Sequence, residues 1–128
     1  MCEYCHTSEA WQLIEFTIDH VNPLSLGGSD EPANLALACF HCNRRKSNNT
    51  VVLNKRTGSE TALFDPRTMS WQEHFIWSAD LLYLEALTEI AAVTIEHLSL
   101  NRDRLIQLRY LDLSVDRHPP VEDPQRQP

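Results

Sequence analysis

Residues 13–46 read LIEFTIDHVNPLSLGGSDEPANLALACFHCNRRK, and their order of residue types decides the fold. Residues 13–21 mix β-branched and aromatic side chains with polar ones and run into Pro23, which predicts a strand that stops at a loop. The loop, residues 22–34, carries Pro23, Gly27, Gly28, Pro32 and several Asn, Asp and Ser residues, all turn formers. About a dozen residues is longer than most such connections, which marks the loop as a functional candidate. Residues 35–39 form the returning strand, and from His41 the sequence CNRRKSNN predicts a short helix with Asn43 and Lys46 on successive turns.

Two C-x-x-C pairs flank this unit, Cys2/Cys5 before it and Cys39/Cys42 at its helical end. They use all four cysteines of the chain. In a reducing compartment the pattern points to a metal rather than to disulfides, and two knuckles together offer zinc its four tetrahedral thiolates. Redox dithiols or unligated buried thiols are the alternative. His6 and His41 stand beside the knuckles as substitute ligands, and Cys2, with no preceding segment to hold it, is expected to fray.

Within the loop and its borders the residue types match a hydrolytic chemistry. Breaking a phosphodiester needs a base for the attacking water, and an ordinary imidazole, with a pKa of about 6.5, is free to accept a proton near neutrality. His20 suits that role. A hard divalent ion prefers oxygen donors, which Asp19 and Asn43 supply while leaving positions open. Neighbours on a regular strand point to opposite faces, so sharing one site requires β geometry to end near Asp19 and His20.

The combination of C-x-x-C, Asp19-His20, Gly27-Gly28, Asn34-Leu35 and Cys39-x-x-Cys42-Asn43-x-x-Lys46 over residues 2–48 resembles the HNH endonuclease family. The resemblance implies a zinc-stabilised ββα-metal core in which His20 is the general base. It further implies that Asp19 and Asn43 bind a catalytic Mg²⁺ or Mn²⁺, that Asn34 holds the loop, and that cleavage of DNA leaves 5′-phosphate ends. The third letter of the motif is asparagine here, a variant that keeps an oxygen ligand. Arg44, Arg45 and Lys46 are the candidate phosphate contacts, each adding to salt dependence rather than to sequence reading.

Beyond residue 50 the pattern predicts an α+β extension over residues 51–116. TVVLN and TALFDP read as strands around a TGSE turn, WQEHFIW and LLYLEAL as a hairpin whose second arm could be helical, and two helices follow from Thr88 and Asn101. Trp71, Phe75 and Trp77 read as packing rather than a base-stacking platform, and His74 and His97 as locally satisfied side chains. The segments Phe64–Arg67, Trp71–Phe75 and Leu98–Arg102 resemble extensions of some bacterial HNH proteins, with no chemistry attached. Residues 117–128, RHPPVEDPQRQP, are expected to be a disordered tail.

The net charge of −7 opposes general nucleic-acid binding. Clustered Arg44, Arg45 and Lys46 and a bound cation can offset it locally, giving weak, salt-sensitive binding. No apolar run reaches the roughly 18 residues of a membrane span, so the protein is expected to be cytoplasmic, without a membrane partner. A homodimer or a partner subunit stays open, and a zinc module that binds nucleic acid or protein without cutting is the competing reading.

Overall fold

The computed structural model describes all 128 residues. Strands β1 (Thr17–His20) and β2 (Leu35–Ala38) pair antiparallel, with Thr17 opposite Ala38 and His20 opposite Leu35. Helix α1 (Phe40–Lys46) follows at once. Its N-cap is Cys39, whose Sγ accepts a bond from the backbone N–H of Cys42 at 3.4 Å, so a knuckle sulfur also starts the helix. β1 is shorter than residues 13–21 predict because its partner is short: β2 is bounded by a 3₁₀ turn at Pro32–Asn34 and by the Cys39 cap. Leu13 and Ile14 therefore lie outside the ladder and remain exposed.

The second half adds two further hairpins. β3 (Val51–Asn54) pairs with β4 (Ser59–Ala62) through a turn in which Gly58, at φ +77, takes the left-handed conformation. WQEHFIW divides into one turn of helix, α2 (Trp71–His74), and a strand, β5 (Phe75–Trp77), which pairs with β6 (Leu84–Ala86). The ambiguous LLYLEAL segment is thus a strand in its middle. Helix α3 (Glu89–His97) is capped by Thr88, whose hydroxyl accepts from the Ala91 N–H, and α4 (Asp103–Ser114) completes the fold. No helix is long and apolar enough to cross a membrane.

One hydrophobic cluster joins the two halves. It contains the four cysteines together with Trp71, Phe75, Trp77, Leu98, Leu105 and Leu108, which makes the aromatics core residues. Trp71 donates its indole N–H to the Tyr4 carbonyl at 3.0 Å, and the His6 ring stacks on Trp71 at 3.9 Å. The other family-like segments of the extension are braces. Arg67 pairs with Glu3 at 2.8 Å, while the Asn101 amide exchanges two bonds with the Leu84 backbone. On α4 the buried face is Leu105, Leu108, Arg109 and Asp112, with Leu111 outside. Burial lowers the Arg109 pKa to about 10, leaving it charged as it donates to the carbonyls of Leu82 and Leu100 and lies 4.9 Å over the Trp77 ring.

Residues 117–128 correct the expectation of a disordered tail. Trp77 donates its backbone N–H to Pro124 and accepts from Arg126, at 3.0 and 2.8 Å, so the tail lies along the open edge of β5. Asp123 is 4% exposed. Its carboxylate accepts the Trp77 indole N–H at 3.0 Å and meets His6 Nδ1 at 2.8 Å. The tail docks through polar groups that the core would otherwise bury unpaired, so its low apolar content gave no warning. Asp123→Ala should lower unfolding stability by about 1–3 kcal/mol, because two buried donors lose their acceptor. An unchanged denaturant midpoint would contradict this docking.

Candidate active site and zinc knuckle

The Cys2 and Cys5 thiols come from the first turn of the chain and those of Cys39 and Cys42 from the start of α1. All four are fully buried, and their sulfurs lie within 4.8 Å of one another. A tetrahedral zinc with bonds of about 2.3 Å needs sulfurs roughly 3.8 Å apart; Cys5 and Cys39 are at 4.0 Å. Burial pushes the Cys2 thiol well up, whereas bonds from the other three sulfurs pull Cys5 well down. Four thiols packed this way, outside any disulfide, fit a zinc ion whose charge would hold them as thiolates. Cys2 does not fray, since its N–H donates to Thr7 and its carbonyl accepts from His6, both at 3.0 Å. The nearby histidines are engaged elsewhere: His6 with Asp123, and His41 with Arg45 Nε at 3.3 Å.

Asp19, His20 and Asn43 line one cavity of about 390 Å³ together with Pro23, Ser47 and Asn48. Asp19 and His20 are the last two residues of β1, both within its ladder; Asp19 is 4% exposed and His20 half-buried, and both still reach the rim of this cavity at the strand end. Asp19 accepts the Tyr4 hydroxyl at 2.6 Å and faces Lys46 Nζ at 3.2 Å. Burial, and then the Asp19 charge, hold the Tyr4 phenol well above its usual range, so it remains a donor to the carboxylate.

His20 Nε2 is 2.7 Å from Asp30 Oδ1. No motif marks Asp30 in the sequence; its place ten residues along a turn-rich loop is the one local signal for it. Asn34 ties that loop shut: its Oδ1 accepts from the Asn22 N–H at 2.8 Å, and its Nδ2 donates to the carbonyls of Asn22 and Ser29 at 2.9 and 2.8 Å. Gly28 is needed in the same closure, since a Cβ there would stand 1.8 Å from the Asn22 oxygen. Asn43 donates Nδ2 to Thr17 Oγ1 at 2.7 Å, which orients the amide and leaves its oxygen free to take a cation.

Residues 2–49 match the family model of the HNH endonuclease. No curated protein and no solved structure matches the chain. The HNH segment takes in both knuckles, the β1–β2 hairpin and α1, and ends just before β3.

Within the HNH segment, Lys46 is not on the exposed surface expected of a phosphate contact. It is 1% exposed, with Nζ between Asp19 and the His20 carbonyl. Cys42 and Lys46, four residues apart, share the inward face of α1. Arg44 and Arg45 lie on the outer surface, beside Phe40 and His41, lining a different cavity. Lys46→Met should cost about 3–5 kcal/mol of stability by leaving the Asp19 charge buried without its partner. Adding Asp19→Asn should recover part of that loss; a double variant as unstable as the sum of the two singles would refute the coupling.

Proposed function

We propose that this chain is a cytoplasmic endonuclease that hydrolyses phosphodiester bonds in DNA. The observation that carries this reading is the shared cavity of Asp19, His20 and Asn43, with His20 anchored through Nε2 by Asp30. With Nε2–H donated to that carboxylate, Nδ1 is the nitrogen with a lone pair to accept a proton from water. Asn34 keeps the loop closed, and so keeps Asp30 against the imidazole. The Asp19 carboxylate and the Asn43 amide oxygen are hard donors suited to Mg²⁺ or Mn²⁺. When bound there, such an ion supplies positive charge that stabilises the phosphorus-centred charge and the departing oxygen. The zinc knuckle acts at a distance, by holding Tyr4 against Asp19 and Cys39 at the head of α1. Arg44 and Arg45 supply phosphate contacts.

A non-catalytic zinc module that binds protein or nucleic acid is the second reading, favoured by the pairing of Asp19 with Lys46 and by the net charge of −7. Zinc-loaded protein incubated with supercoiled plasmid separates the two. Open-circular product should form on adding Mg²⁺ or Mn²⁺ and not without them. Intact plasmid with either ion would overturn the enzymatic reading.

A further inference from the structure

Helix α1 has two working faces. Asn43 and Ser47 open on the candidate catalytic cavity, whereas Phe40, His41, Arg44 and Arg45 open away from it. On that second side two cavities, of about 470 and 380 Å³, share Phe40 and His41. Arg44 and Arg45 line one; Arg102 and Arg104, from the start of α4, line the other with Trp11. Burial, and then the charges of Arg102, Arg45 and Arg44, push the His41 imidazole below its usual range, so these guanidiniums converge on one ring from two helices.

The chain has 11 lysines and arginines against 18 carboxylates. Lys46, Lys55, Arg56, Arg67, Arg117 and Arg126 each pair with a carboxylate, and Arg109 is buried on backbone carbonyls. The remaining four are Arg44, Arg45, Arg102 and Arg104, none of which has an acidic partner. In so acidic a protein, leaving four cations unpaired on one face is costly in self-repulsion, and an anionic ligand relieves it.

We propose that Arg44, Arg45, Arg102 and Arg104 form a track for the phosphate backbone of duplex DNA flanking the cleavage site, so that the C-terminal extension takes part in substrate binding. The proposal rests on the nuclease reading for where the DNA lies, but its test does not. A helix with its side chains is about 10–12 Å across, so the track lies within some three or four nucleotides of the catalytic cavity at about 3.4 Å each. Phe40 and Trp11, each 40% exposed, form the apolar floor between the guanidiniums, with Arg44 stacked 5.9 Å over the Phe40 ring.

The test measures binding of a fluorescent 30-base-pair duplex to protein carrying His20→Ala, so that the DNA stays intact, across a series of NaCl concentrations. Adding Arg102→Gln and Arg104→Gln should weaken binding and flatten the slope of log affinity against log salt by about 1.8, since each lost phosphate contact removes about 0.9. Arg104→Gln alone should flatten it by about 0.9; this exposed side chain holds nothing in the fold, so it guards against an effect of Arg102 on the helix start. Unchanged slopes, or a protein that does not bind the duplex, would overturn the track. Slopes that fall in a protein whose His20-bearing form does not nick plasmid would uphold it while removing the nuclease reading.

Discussion

Replacing His20 with alanine should slow Mg²⁺-dependent plasmid nicking by about 10²–10⁴-fold, the usual contribution of a positioned general base. Zinc content and thermal midpoint should stay at wild-type values. The separation follows from the surroundings of the ring. The His20 side chain is 30% exposed, and its one side-chain partner, Asp30, is 83% exposed. Truncation therefore leaves no buried group without a hydrogen bond, and water takes over the Asp30 carboxylate at little cost. The backbone pairing of His20 with Leu35 does not involve the ring, so β1 keeps its register. Equal nicking by the two proteins would sink the assignment of His20. A parallel fall in activity and melting temperature would point to a structural role instead.

Loss of zinc should have the largest effect on stability. Structural zinc contributes on the order of 10–16 kcal/mol in small modules, as much as or more than the about 5–15 kcal/mol that holds a typical domain together. The effect should not stop at the HNH segment. The four cysteines belong to the same buried cluster as Trp71, Phe75, Trp77 and Leu105, so opening the tetrad exposes the face on which the extension packs. Cys39→Ser isolates the loss of the tetrad, because a serine hydroxyl can still cap α1 in place of the sulfur. We expect one zinc per wild-type chain, a cooperative melt that disappears in Cys39→Ser, and loss of the near-ultraviolet signal of the buried tryptophans. Identical melting of zinc-loaded and zinc-stripped protein would show that the thiols pack as an ordinary core.

The knuckles, the hairpin and the first helix were legible because each rests on residues close in sequence. C-x-x-C spacing places two sulfurs together on one turn, Pro23 and Pro32 delimit the loop, and Thr88 announces α3. The same locality made the aromatic run from Trp71 to Trp77 readable as packing, although not its division into a helical turn and a strand. Burial decides that division, with Trp71, Phe75 and Trp77 all drawn into the core.

By itself, then, the sequence determined the α+β class, the cysteine tetrad, and the run of Asp19, His20, Asn34 and Asn43 that marks the candidate site. Only the tertiary structure decided that Lys46 is buried against Asp19, that Asp30 holds the imidazole, that Asp123 reaches back 117 positions to His6, and that α4 brings two more arginines beside α1. The reason lies in the range of the forces. Turn, cap and strand preferences act over a few residues and leave their mark in short patterns. The partner of a charge or of a buried donor is whichever group packing brings within about 3 Å, and no spacing along the chain encodes it.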